Sequence, residues 1–101
     1  MGCSRWHLLK HDDLSIITER VPPGASEQRH YYVHSRQFFY ILTGEATLEI
    51  DGVKHSLQAQ QGIEIPPGIA HQFWNESSSE VTFLVISMPK AHGDRVESPA
   101  Q

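Results

Sequence analysis

The sequence predicts an all-β fold of antiparallel strands, and three observations carry that prediction. Apolar residues recur with period two in short runs. Turn-forming residues separate those runs. No stretch carries the apolar period of an amphipathic helix. Short hairpins with so many apolar faces must close on themselves or pack as two sheets to hide their edges.

Taken in order, Leu14 to Val21 reads as the first strand, with β-branched content at Ile17 and Thr18. Pro22-Pro23-Gly24 ends it, because proline lacks a ladder donor and glycine permits a turn. A second extended segment covers Gln28 to His34. Gln37 to Thr43 is apolar at both parities, so both of its faces are expected to be buried. After Gly44, the residues Ala46, Leu48 and Ile50 alternate with Glu45, Thr47 and Glu49, as in a strand with one buried face. Asp51-Gly52 is a hairpin turn of type I′, which needs positive φ at both central residues. Val53 to Leu57 returns antiparallel. Gly62 to Ile65 is a short strand stopped by Pro66-Pro67-Gly68, and His71 to Asn75 is another. After the Ser77-Ser78-Ser79 loop, Val81 to Met88 is the last strand, again apolar at both parities. The organisation is therefore an N-terminal segment over 1–13, one barrel over 14–89 and a polar tail over 90–101, ordered in part at most.

The 101 residues suffice for one domain. Hydrophobic content of 39% and charged content of 20% belong to a globular chain rather than a disordered one. The net charge is -4, with 8 Lys+Arg against 12 Asp+Glu, so no basic stripe exists to bind nucleic acid or an anionic membrane. No apolar run is long enough to span a bilayer. Cys3 is the single cysteine, which rules out an intrachain disulfide and fits a reducing, cytoplasmic compartment. The seven histidines are the compositional oddity, since neutral imidazole is the commonest metal ligand.

Two segments concentrate chemistry. The first runs Gly24, five residues, His30, one residue, Tyr32, four residues, Gln37, six residues, Gly44. The second runs Pro66-Pro67-Gly68, two residues, His71, three residues, Asn75. His30 and Tyr32 share a strand face, whereas His34 lies about 13 Å from His30 on a regular strand, too far to co-ligate one ion. Phe39 and Ile41 share the parity of Gln37, and Phe73 that of His71, so these three are expected to wall a pocket beside them. Phe38, Tyr40 and Trp74 then point outward as an aromatic stripe that needs a covering layer. Arg20, Glu27, Arg29, Arg36 and Glu64 read as surface charges. The tail's Asp94 to Glu97 is a candidate latch held by ion pairs.

In these two segments the sequence resembles the cupin superfamily, in particular its small single-domain members. The resemblance covers Gly24 to Asn75, about half of the chain, and implies an antiparallel double-stranded β-helix, the jelly-roll barrel. It further implies a divalent transition metal (Zn, Fe, Mn or Ni) held by the histidines and the carboxylate of the two motifs. Here Tyr32 stands at the second histidine position and Gln37 at the carboxylate position, while Gln60 replaces the glycine that leads the second motif. The implied ligands are then His30, Gln37 and His71, with Tyr32 as a further candidate; a metal-free pocket is the alternative. A neutral amide is the weaker ligand because it brings no charge to offset the ion's. The functional expectation is a small-molecule-binding cupin. Its pocket holds Tyr32, Gln37, Phe39, Ile41 and Phe73, and a homodimer forms through the outer sheet face. The alternatives are a cupin-type enzyme, either a dioxygenase or a sugar isomerase or epimerase with His71 and Tyr32 as candidate catalytic groups, and a non-catalytic sensory or structural module.

Overall fold

A computed structural model describes residues 3–90 and 93–99. Ten strands are present among them: β1 (Ser4–Lys10), β2 (Ser15–Val21), β3 (His30–Tyr32), β4 (Arg36–Thr43), β5 (Ala46–Ile50), β6 (Val53–Leu57), β7 (Gly62–Ile65), β8 (His71–Trp74), β9 (Val81–Met88) and β10 (Arg95–Glu97). They form two five-stranded antiparallel sheets, ordered β1-β2-β9-β4-β7 and β10-β3-β8-β5-β6. The all-β, two-sheet expectation is met.

Local chemistry sets the hairpins. Asp51 and Gly52 take φ of 51° and 88°, so β5 and β6 pair from Ala46↔Leu57 to Ile50↔Val53 through the expected primed turn. At Gly44 a Cβ would stand 2.6 Å from the Glu80 carbonyl oxygen, so only glycine fits there. Gln60 adopts φ of 67°, the left-handed region, at the position where the resemblance has glycine. Its N–H donates to the Ile41 carbonyl at 2.7 Å, which holds the turn in that conformation.

The strands read as apolar at both parities bury only one face. β4 and β9 lie side by side, from Arg36↔Met88 to Thr43↔Thr82. Their inward residues Phe39, Ile41, Val81, Phe83 and Val85 are core, whereas outward Phe38 and Leu42 are each 37% exposed and Met88 is 49% exposed. Among the described residues nothing covers that outer face. Trp74 does not join Phe38 and Tyr40 in one stripe, because β8 belongs to the other sheet; its ring is covered by the Lys54 ammonium at 4.6 Å. The core lies between the sheets, where Phe39, Phe73 and Phe83 stack, with Phe73 and Phe83 centroids 4.1 Å apart.

Both flanks of the barrel extend its sheets. Ser4–Lys10 pairs with β2, and Arg95–Glu97 pairs with β3, in segments that sequence reading left without strands. Residues 1, 2, 91, 92, 100 and 101 of those segments lie outside the described residues. The strands escaped notice because Arg5, His7 and Arg95 face a polar interior, so no apolar alternation marks them. Among the described residues the tail is held by backbone pairing and by Asp94, whose Oδ2 accepts from the His34 and Ser35 N–H groups at 2.7 and 2.8 Å, and no ion pair joins it to the barrel.

Two presumed surface charges are structural. Arg29 is buried and grips Glu49 bidentately at 2.7 and 3.1 Å. Its remaining nitrogen donates to Ser98 Oγ at 3.0 Å and to the Pro99 carbonyl at 2.8 Å, pinning the tail to the β5 hairpin. Glu27 turns into the interior. Arg36 and Glu64 do form an exposed pair.

Candidate functional site

His30 opens β3 and His71 opens β8, and the two are direct partners across the sheet. Their ring centroids are 4.6 Å apart, and Tyr32 lies edge-on to His30 at 5.2 Å. Each Nδ1 contacts the carbonyl two residues earlier: Gln28 at 2.6 Å for His30, Ile69 at 3.0 Å for His71. A carbonyl can only accept, so each Nδ1 carries the hydrogen and each Nε2 presents a lone pair. Burial pushes the His30 imidazole down to about 4, and it lowers His71 in the same direction. Both rings are therefore neutral at pH 7. Burial likewise raises the Tyr32 phenol above its ordinary value, which keeps it protonated.

Gln37 reaches inward from β4. Its Nε2 donates to Ser87 Oγ at 3.0 Å, which fixes the amide and leaves Oε1 exposed to the interior. Gln37 Oε1 and His71 Nε2 are both buried without a hydrogen-bond partner. Such unmade bonds cost stability, so these two acceptors call for a cation or a hydrogen-bond donor.

A cavity of about 560 Å³ opens at this end of the barrel. His30, Tyr32, Gln37 and Phe39 line it, together with Glu19 and Glu27. His71 packs behind His30 and is not part of the lining; Ile41 and Phe73, expected as walls, belong to the hydrophobic core beneath it. Arg5, Lys10, Lys90 and Arg95 stand around it, which is four of the chain's eight Lys and Arg residues. Sequence reading missed this cationic set because its members come from β1, the tail and the chain between; only their inward parity, visible once the strands are known, signals it.

For a metal, the donor chemistry fits. Two imidazole lone pairs and an amide oxygen suit a divalent transition ion, and two of those three acceptors have no other partner. The set is neutral throughout, and among the described residues no three His, Cys, Asp or Glu side chains converge as a metal site.

Comparison with known proteins agrees with this architecture. The family model described as a cupin domain matches residues 17–87. The protein SchB of Streptomyces halstedii is 35% identical over 71 residues, 70% of this chain and 51% of SchB. The polyketide synthase CurC of Streptomyces cyaneus is 32% identical over 69 residues, 68% of this chain and 45% of CurC. The chain thus spans about half the length of these curated relatives. A conserved protein with a double-stranded β-helix domain from Klebsiella pneumoniae superposes with a TM-score of 0.87 at 19% identity, covering 98% of this chain and 86% of that one.

Proposed function

Since the chain belongs to the cupin family, whose domain its residues 17–87 match, we propose that it binds a small, oxygen-rich anion in the barrel cavity. One observation carries this reading. A protein of net charge -4 gathers half of its Lys and Arg residues around a single cavity. Lys10 makes no ion pair among the described residues, and Arg5 approaches Glu19 only to 3.9 Å, so cationic charge remains for a ligand. The volume of about 560 Å³ lies in the usual range for small-molecule sites. Phe39 and Val85 supply apolar wall. His30, Gln37 and Tyr32 supply orientation, and His71 holds the His30 ring. The similarity to the polyketide synthase CurC supports an enolised or hydroxyaryl ligand over a simple sugar.

Calorimetry with 2,4-dihydroxybenzoate and its uncharged counterpart resorcinol tests the charge argument. The carboxylate binds more tightly, and Arg95→Ala abolishes the preference. Equal affinities for the two compounds in the unaltered protein would refute the reading.

A second reading is favoured by the partnerless Gln37 Oε1 and His71 Nε2. A divalent transition metal held by His30, Gln37 and His71 would supply Lewis-acid polarisation of a ligand oxygen. Stoichiometric cobalt uptake, lost in His30→Ala, is the expected result; uptake unchanged by that substitution excludes these ligands. The exposed Phe38, Leu42 and Met88 face supports a homodimer. Light scattering is expected to give twice the chain mass, and Phe38→Glu the single mass; a single mass for the unaltered protein rejects it.

A further inference from the structure

The inward face of the β1-β2-β9-β4-β7 sheet carries one polar row. Lys10 pairs with Ser15, Ser15 with Ser87, and Ser87 with Gln37, so four adjacent strands place a polar residue at the same level. All four line the cavity. Lys10 joins the row through a β-bulge. His7 pairs with Ile17 but Leu9 with Ile16, which leaves Leu8 as an extra residue on β1. On a regular strand Lys10 would turn away from the face that carries Arg5 and His7. The bulge brings all three to the cavity.

The row is a set of donors. Gln37 Nε2 donates to Ser87 Oγ, which leaves the Ser87 hydroxyl hydrogen for a second partner. Ser15 and Ser87 are 3% and 1% exposed, and among the described residues no side-chain hydrogen bond engages Ser15 Oγ. Residues directly opposite on antiparallel strands hold their Cβ atoms about 4.5–5.5 Å apart. The two hydroxyls can therefore each meet one oxygen of a single carboxylate at ordinary hydrogen-bond length.

Charge selects the same place. Lys90 Nζ lies 2.9 Å from Asp12 Oδ1, Arg95 lies 3.2 Å from Glu97, and Arg5 stands opposite Glu19 across β1 and β2. Among the described residues Lys10 is the cavity cation that no carboxylate engages. Glu19 is four residues along β2 from Ser15, about 13 Å away on a regular strand, with Ile17 between them on the same face. An anion at the row thus meets an unpaired cation and keeps clear of the Glu19 carboxyl.

We infer that Lys10, Ser15 and Ser87 form a carboxylate subsite, in which the two hydroxyls donate to the carboxylate oxygens and the Lys10 ammonium offsets their charge. The inference rests on the anionic-ligand reading and says where the anion sits. Gln37 Oε1, buried without a partner at the end of the row, then accepts from a hydroxyl of the same molecule. The ligand class is a hydroxy-carboxylate. Arg95, on the facing sheet, adds attraction from across the cavity.

Calorimetry with 2,4-dihydroxybenzoate and resorcinol tests the subsite on three variants. Lys10→Met and Ser15→Ala are each expected to weaken 2,4-dihydroxybenzoate binding about tenfold, since each removes a hydrogen bond involving a charged group. Both leave resorcinol binding unchanged. Lys10 is exposed on an edge strand, so its variant carries the test even where Ser15→Ala is unstable. Lys54→Met removes the same charge outside the cavity, where Lys54 covers Trp74 and approaches Glu76, and leaves both affinities unchanged. Equal weakening by Lys10→Met and Lys54→Met would reduce the effect to net charge and overturn the subsite. A preference for the carboxylate that persists in both Lys10→Met and Ser15→Ala would also overturn it, while the anionic-ligand reading stands with the anion elsewhere. Equal affinities for the two compounds in the unaltered protein defeat the reading and the subsite together.

Discussion

The two ends of the barrel interior are built from the same strands yet differ in kind. Along the inward face of β4, Gln37 gives way to Phe39 and then Ile41; along β9, Ser87 gives way to Val85, Phe83 and Val81. β8 changes from His71 to Phe73 in a single step. At one end three phenylalanines stack and every inward group is satisfied by packing. At the other, buried acceptors lack partners, and burial raises the Glu19 and Glu27 carboxyls above the usual range. One end keeps the sheets together and allows the other to be poorly satisfied, which a ligand site requires.

Truncation separates the two ends most sharply. Phe83→Ala is expected to cost about 3–5 kcal/mol in denaturant unfolding, through lost burial and the cavity left behind. Gln37→Leu is expected to change stability by less than about 1 kcal/mol, because the substitution also removes a buried acceptor with no partner. The same change weakens 2,4-dihydroxybenzoate binding. Comparable destabilisation by the two substitutions would erase the division.

The pH dependence of melting sharpens it next. Glu27 keeps in the folded state a proton that the unfolded chain releases above its ordinary value of 4.5, so this group penalises folding increasingly up to about pH 8. His30 acts in the opposite sense: its folded value of about 4 lies below the ordinary 6.5, so stability is lost as pH falls through that interval. The two effects oppose each other between about pH 4.5 and 6.5. Above that window only the Glu27 penalty grows, and Tm is expected to fall from about pH 6.5 to 8. Glu27→Gln removes the decline; a Tm that rises over the same range contradicts a raised Glu27 carboxyl.

The smallest effect concerns neither end but the turn between β6 and β7. Gln60 occupies left-handed backbone space, so Gln60→Gly is expected to raise unfolding free energy by about 1 kcal/mol or less. A loss of stability there would show that the Gln60 side chain contributes more than its strained backbone costs.

Much of this contrast was legible before any coordinates. The paired motifs gave His30 and His71 as cross-strand neighbours and Gln37 as facing the same cavity as His30, and the Asp51-Gly52 turn set a register that the strands adopt. Tyr32 and Phe39 likewise line the cavity. Ile41 and Phe73 share the correct face but lie deeper, since parity specifies which side a residue takes and not its depth along the barrel. Arg29 and Glu27 were hidden because a charge looks solvated until a partner from a distant segment is known. Arg29 depends on Glu49 and Ser98, and Glu27 on Glu19. Both edge strands were missed for a related reason: period-two reading detects apolar faces, and theirs look into a polar hollow.

The shared family portion, residues 17–87, starts after Arg5, His7 and Lys10 and stops before Lys90 and Arg95. Every basic side chain ringing the hollow apart from His30 is thus supplied by the two flanks. The charge around the hollow can therefore change by exchange of the two flanks, the edge strands β1 and β10 with the chain around Lys90, with no change to the motifs by which the scaffold is known. Those flanks set the charge of the hollow independently of the sheets that hold the core.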